Sequence, residues 1–309
     1  MRSFTSNELR VFRSICQGDD TVKKISKSTG LSLKPVYNLL GELADKGIVN
    51  ITAGKPRRFK PGGDLHASAL RRFLIEDEHP IDSIVGSKFL ILLSITHHGK
   101  TEKKIAEETG LKPSSVRRLI LQLQYYGLVD KHGNETLLSP SARSMNALLS
   151  DFSAGYASMM VRQKSKDGIL LWDDGLHFLF SATELNDPSG VMVTGISAMA
   201  AYGIDFFTPK EYYYFTYGAK NGAKKLDAVD IALHAMLVDP TSPRAIGDAM
   251  LLLKKKGIKK ELLLREAECV GLKKRALQIV DFFEGKDIDD PTFPSQADVE
   301  SLFMQYGVA

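Results

Sequence analysis

Residues 21–50 read TVKKISKSTGLSLKPVYNLLGELADKGIVN, and residues 101–130 read TEKKIAEETGLKPSSVRRLILQLQYYGLVD. The two stretches are copies of one another at an offset of 80 residues. Lys23-Lys24-Ile25 recurs as Lys103-Lys104-Ile105, Thr29-Gly30-Leu31 as Thr109-Gly110-Leu111, and Gly47-Ile48-Val49 as Gly127-Leu128-Val129. Ser14-Ile15 and Ser94-Ile95 carry the match backwards in the same register. Matched positions in one register over such a length point to an internal duplication, which fixes the organisation of the first half of the chain.

Each copy has the pattern of three helices and a hairpin. In the first, Ser6 is placed to cap a helix whose Leu9, Phe12 and Ile15 share one face. A second helix is predicted over about Thr21 to Ser28, ended by Gly30, because glycine adopts the left-handed conformation without steric cost. Ser32 caps a third helix in which Val36, Leu39, Leu40 and Leu43 form an i, i+3, i+4, i+7 stripe, and Gly47 closes it. Ile48 and Ile51 begin a strand, Ala53-Gly54-Lys55-Pro56 turns, and Arg57-Arg58-Phe59-Lys60 returns. The second copy repeats this plan, with helices over about Ile81–His97, Thr101–Glu108 and Pro113–Tyr126 and a hairpin turning at His132-Gly133-Asn134. Val116, Leu119, Ile120 and Leu123 face inward, and Pro113 suits a first helical turn, where no backbone N–H is needed.

Segments 5–62 and 81–143 resemble the winged-helix transcription regulators of bacteria and archaea, on the pattern Ile25…Thr29-Gly30-Leu31…Val36…Leu39…Leu43…Gly47-Ile48-Val49 and its copy. The resemblance implies double-stranded DNA as partner. With the apolar stripe of each third helix turned inward, the opposite face offers Ser32, Lys34, Tyr37 and Asn38 in the first copy. In the second it offers Lys112, Ser114, Ser115, Arg117, Arg118 and Gln122. Arg reads guanine, and Asn or Gln reads adenine, in the major groove. The first wing adds Lys55, Arg57, Arg58 and Lys60, a cluster suited to phosphates; the second has only Lys131 and His132, beside Glu135. The first copy is therefore expected to lean on the backbone and the second to read bases.

Charge supports this division. Residues 1–165 carry a net +9 and residues 166–309 a net −5, so the first half is the one suited to a polyanion. The two cysteines, Cys16 and Cys269, lie far apart, which excludes a disulfide framework or a Cys-rich zinc site and fits a reducing, cytoplasmic setting. No apolar run approaches the ~20 residues of a membrane span, and the opening residues carry no secretory pattern.

The acidic half reads as α+β. A connecting helix with Met145, Leu148, Leu149 and Phe152 is predicted within residues 140–165 and offers a face to a second subunit. Ile169–Trp172, an Asp173-Asp174-Gly175 turn and Leu176–Ser181 form a hairpin whose turn accounts for both aspartates without an ion. Val191 to Ile204 reads as strand, turn and short helix, and Glu211–Tyr217 as a tyrosine-rich strand. From about Asp227 the pattern is of amphipathic helices to about Phe283, with a last helix near Ala297 to Tyr306. Thr194-Gly195-Ile196-Ser197-Ala198, Tyr202-Gly203-Ile204 and Pro243-Arg244-Ala245-Ile246-Gly247-Asp248-Ala249 resemble the C-terminal domain of AbiEi-type antitoxins over about 185–285. In that family the domain is a nucleotidyltransferase-like fold without activity and follows one winged helix, not two. An active nucleotidyltransferase needs paired carboxylates for its metals. Here Asp205 and Glu211 stand unpaired in sequence, and Asp227 with Asp230 suits a helix start, so neither catalysis, a metal nor a cofactor is expected.

The expected fold is therefore mostly α with small β elements: two tandem winged-helix domains (1–75 and 76–150), then an α+β nucleotidyltransferase-like domain (151–309) ending in helices. The expected function is a sequence-specific DNA-binding transcription regulator. An antitoxin-like autorepressor with a toxin partner at the C-terminal domain, and a nucleic-acid-linked nucleotidyltransferase, are the alternatives. A monomer gripping a pseudo-symmetric site and a homodimer presenting four modules both fit the duplication.

Overall fold

The computed structural model describes residues 3–76, 80–217 and 225–308. The chain is mostly helical with small sheets. It divides into two compact units, Met1–Met160 with Asp174–Leu176, and Val161–Asp173 with His177–Ala309.

In the first unit, α1 (Ser6–Cys16) starts one residue earlier than the sequence suggests. Thr5, not Ser6, is the extended capping residue; its hydroxyl accepts from the Glu8 amide while the Glu8 carboxylate accepts from the Thr5 amide. Helix α2 (Val22–Thr29) is capped by Thr21 and stopped by Gly30 at φ +72°. Ser32 precedes α3 (Leu33–Asp45) but makes no side-chain capping bond. Strands β1 (Val49–Thr52) and β2 (Arg58–Pro61) then pair antiparallel. A helix that the pattern does not announce follows: α4 (Leu65–Arg71), continued by a π-helical turn over Arg72–Glu76. Its buried positions are His66, Ala67, Ala69 and Leu70, which carry too little apolar contrast to stand out as a stripe.

The second copy departs from expectation at its first helix. Instead of one helix from Ile81 to His97, a single 3₁₀ turn (Ile81–Ser83) precedes α5 (Ser87–Ser94). The break is at Gly86, whose φ of +64° and ψ of −138° no helix admits. The break frees the Gly86 amide to donate to the Phe4 carbonyl, 2.8 Å away. A two-residue strand, β3 (Lys100–Thr101), leads into α6 (Glu102–Thr109) and α7 (Pro113–Tyr125), followed by β4 (Val129–His132) and β5 (Glu135–Leu138). Strand β3 pairs with β5, making a three-stranded sheet of order β3-β5-β4. In the corresponding place of the first copy the Phe59 N–H donates to the Asp20 carbonyl at 2.9 Å. The second hairpin turns through Gly133 and Asn134 alone, whereas the first uses residues 53–57.

Matched positions are buried in both copies. Leu9, Phe12, Ile25, Val36, Leu40 and Leu43, like Phe89, Leu92, Ile105, Val116, Ile120 and Leu123, are at most 1% exposed. Leu39 and Leu119, expected inward, are only half-buried at the flank of their stripes. Helix α8 (Arg143–Lys164) closes this core. Its Met145, Leu148, Leu149 and Phe152 are at most 1% exposed within the first unit, so they are not the subunit-pairing face that their spacing suggests. A side chain at Gly155 would strike the His66 amide at 2.4 Å, so α8 and α4 touch through backbone.

Buried charged groups in this unit gather around two lysines. Lys46 donates to Glu8 at 2.5 Å. Lys100, with a fully buried ammonium stem, donates to Glu108 at 3.0 Å and Asp174 at 2.6 Å. Asp174 is thus more than a turn residue, although its neighbours do turn as expected between β6 (Ile169–Asp173) and β7 (His177–Ala182).

In the second unit those strands join β8 (Val191–Val193) and β9 (Glu211–Thr216) in an antiparallel sheet of order β6-β7-β9-β8. Between β8 and β9 lie α9 (Gly195–Ala198) and a 3₁₀ turn over Met199–Tyr202, ended by Gly203 at φ +70°. The helices are α10 (Ala228–Val238), α11 (Pro243–Lys256), α12 (Lys260–Cys269), α13 (Lys273–Phe283) and α14 (Gln296–Gln305). Helix α10 is not the amphipathic helix expected: nine of the ten positions from Ala228 to Leu237 are buried, Asp230 being the exception, and they wrap its whole circumference. It is the central helix of this core, packed on α9, α11 and α12.

Two stability outcomes follow. Replacing Lys100 with Met strands two buried carboxylates together and should cost about 3–5 kcal/mol in urea unfolding, whereas Lys131→Met should stay within about 0.5 kcal/mol. In α11, burial pushes the Asp248 carboxyl up from 3.8 to about 6, with Arg244 opposing weakly. The folded chain therefore holds this proton more tightly than the unfolded chain, and its contribution to stability falls as pH rises from about 4 through about 6. Asp248→Asn should flatten that decline and raise the melting temperature at pH 8; a variant that melts lower at pH 8 would contradict this.

Candidate nucleic-acid interface

The third helices present the faces that their stripes require. On α3, burial of Val36, Leu40 and Leu43 leaves Ser32, Lys34, Tyr37 and Asn38 exposed. On α7, burial of Val116, Ile120 and Leu123 leaves Lys112, Ser114, Arg117, Arg118 and Gln122 exposed, while Ser115 is half-buried. Neither helix has a side-chain cap at its start, so its first amides are not taken up by Ser32 or Lys112. By contrast Thr21 and Thr101 do cap the second helices.

The first hairpin puts its cations outward by simple alternation. Phe59 is buried, so Arg58 and Lys60 on either side face solvent, opposite Thr52 and Asn50. Lys55 and Arg57 are exposed in the turn. Arg57 donates to the Tyr37 hydroxyl, and its guanidinium lies 6.0 Å from the Tyr37 ring centre. Arg57 of the turn and Tyr37 of the third helix thus join hairpin and helix at the surface, and Lys34, Asn38, Lys55 and Lys60 are exposed on these same elements. Arg58 is held by Asp20, which also accepts from Lys24 at 2.9 Å. The hydrogen bond from Lys24, then the charge of Arg58, holds the Asp20 carboxyl below its usual range.

The second copy makes the matching connection differently. Its counterpart of Tyr37 is Arg117, which donates to Glu102 at 3.1 Å; the other Glu102 oxygen accepts from Lys131 of β4 at 2.5 Å. Bonds from Lys131 and then Arg117 hold the Glu102 carboxyl low. Glu102 stands where the first copy has Val22, and it engages two of the cations that the sequence reading offers to a ligand. The signal was present in that Val-to-Glu difference. Among the described residues, Lys34, Lys55, Lys60, Lys112 and Arg118 have no ion-pair partner.

In the second unit Asp205 is exposed, and Glu211 accepts from the Tyr213 hydroxyl at 3.1 Å. Asp227 and Asp230 form a reciprocal capping box at the start of α10, the helix-start arrangement that their spacing suggests. No helix among the described residues is long and apolar enough to cross a membrane.

Comparison with known proteins bears on both ends of the chain. Residues 3–62 match the family model described as sugar-specific transcriptional regulator TrmB. This segment runs from α1 through the first hairpin and supports a role in DNA-binding transcription regulation. Residues 189–308 match a second model, described as HVO_2833_C, C-terminal. No curated protein and no solved structure matches the chain.

Proposed function

We propose that the first unit carries two winged-helix modules that bind double-stranded DNA and regulate transcription without catalysis. The observation that supports this best is a coincidence of place. The segment similar to a transcription regulator is also the one whose third helix and hairpin share a solvent-facing basic surface. In this reading α3 and α7 face the major groove, and Lys55, Arg57 and Lys60 of the first hairpin meet phosphates. Phosphate contacts supply sequence-independent affinity, and base-edge contacts supply discrimination. Arg118, rather than the tethered Arg117, is the principal reader on α7. The acidic second unit regulates or assembles.

The test is selection of duplexes from a random pool, followed by fluorescence anisotropy across a salt series. Lys60→Ala should weaken all duplexes alike and flatten the log–log salt slope by about 0.9. Arg118→Ala should cost about 1–3 kcal/mol and relax one position of the selected site. Binding that ignores salt, or an Arg118→Ala protein that selects the same site with equal affinity, would overturn the assignment.

Glu102→Gln gives an independent outcome. Freeing Arg117 and Lys131 should tighten non-specific duplex binding and steepen the salt slope by about one to two. An unchanged slope would mean that these two cations do not meet the ligand.

A further inference from the structure

Within the second unit, a cavity of about 550 Å³ opens between the first half of α11, α14 and the segment around residues 205–207. That volume lies in the range of small-molecule sites. Its lining joins an aromatic wall to an excess of negative charge. Phe206 and Tyr306 meet at a tilt of 55° with ring centres 5.7 Å apart, and the Tyr306 hydroxyl donates to the Asp205 carbonyl at 3.0 Å. Asp205, Asp248 and Asp298 contribute carboxylates against one guanidinium, that of Arg244. One Asp298 oxygen accepts from Ser295 at 2.6 Å, so that group is partly engaged.

Asp248 is different. It is 4% exposed, lines the cavity, and has neither a hydrogen bond nor an ion pair among the described residues. The nearby Arg244 is exposed and acts on it only at a distance. The residue is buried as a whole while its oxygens are not among the fully enclosed ones, and a carboxylate in such surroundings gains much from a charged donor. Its carboxyl is thus reached from the cleft, which is large enough to admit a donor group. A backbone or hydroxyl donor from the protein would have lowered this carboxyl; instead burial raises it.

We propose that this cleft binds a small organic ammonium compound, whose charged nitrogen donates to Asp248 and whose carbon frame packs against Phe206 and Tyr306. The negative balance of the lining selects a cation over an anion, and aromatic faces attract cations as well as apolar carbon. A neutral polyol would satisfy Asp248 with one hydroxyl but would leave its charge uncompensated in a buried place. This site is independent of the DNA-binding reading, and neither one's failure bears on the other.

The probes are ethylammonium, phenethylammonium and 1,4-diaminobutane, each against its neutral counterpart (ethanol, 2-phenylethanol and 1,4-butanediol), with glucose as a polyol control. Thermal melts and calorimetric titrations of the full chain are run at pH 8, where Asp248 is ionised. At least one amine at millimolar concentration should raise the melting temperature by about 3 °C or more, and its neutral counterpart should not. Asp248→Asn should weaken that amine by at least about tenfold while melting no lower than the parent without ligand. Leu302→Trp, which fills the cleft and leaves the carboxyl in place, should abolish the shift, and it decides the matter should Asp248→Asn fail to fold. Three outcomes overturn the proposal: no amine exceeds its neutral counterpart, glucose matches the amines, or the amine shift survives both substitutions.

Discussion

The packing around Phe152 holds the first unit together. Its ring meets Phe4 from the start of the first copy at 5.9 Å, Phe89 of α5 at 5.0 Å and His66 of α4 at 5.7 Å, and it stacks on Tyr156 at 5.8 Å. Phe4 and Phe89 also touch one another, at 5.5 Å. Large rings in edge and stacked contact bury much apolar area in fixed geometry. The two copies therefore share one core across α8 instead of hanging as separate beads. Gly155 lets α8 approach α4 closely enough for this, and Gly86 turns the second copy so that its backbone reaches Phe4. A duplicated module with a common core presents its two third helices in a fixed relation, which a flexible linker would not do.

Duplication also shows which interactions a position demands and which it merely tolerates. The pair Glu8–Lys46 is a buried ion pair in the first copy; at the same two places the second has Lys88 over the Tyr126 ring, at 5.2 Å. Attraction between the first helix and the end of the third survives, although neither chemical group does. Below the hairpin the change runs the other way. Ser14 shares a hydrogen bond with Ser28 at 2.8 Å, and the matching Ser94 donates to Glu108 at 2.7 Å. Asp20, solvent-facing and paired with Lys24 and Arg58, becomes Lys100, buried between Glu108 and Asp174. At this position, then, the first copy has an acid at the surface and the second a lysine held inside. Buried charge costs desolvation that only good partners offset, so the second copy is the one sensitive to single changes there.

Much of this was legible in the sequence, and the failures have physical causes. The repeat, the third-helix stripes and the glycine stops at Gly30 and Gly110 follow from local rules, and the structure has them where the residues require. The hairpin at Asp173–Gly175 was also readable from its Asp-Gly turn, and the strand at Glu211–Thr216 from its tyrosine-rich run. What escaped was decided by partners distant in sequence. Helix α4 has no strong stripe of its own and is held by Phe152 and Tyr156 from α8. Strand β3 is two residues long and exists through β5. The spacing of Met145, Leu148, Leu149 and Phe152 shows an apolar face but not what covers it, and that cover is the duplicated core. At the surface, composition counts Arg117 and Lys131 as available cations; only geometry shows that Glu102 holds both.

That acid changes how the basic face should be weighed. Exposed ion pairs add little to stability, typically less than about 1 kcal/mol, so Glu102 is not there chiefly to hold the fold. Its effect is on the cations. Arg117 is restrained in one geometry between α6, α7 and β4, which lowers the rotamer entropy it would lose on binding. In the proposed reading the same bond would be shared with or surrendered to a phosphate, which lowers what such a contact yields. Arg57 in the first copy has its restraint from a neutral partner, Tyr37, and keeps its full charge for a polyanion. The two copies thus restrain an arginine at the same joint between third helix and hairpin, one without compensating its charge and one with it. In the DNA-binding reading proposed above, this difference makes the first copy the stronger source of sequence-independent attraction and leaves discrimination in the second to Arg118, whose charge no acid among the described residues compensates.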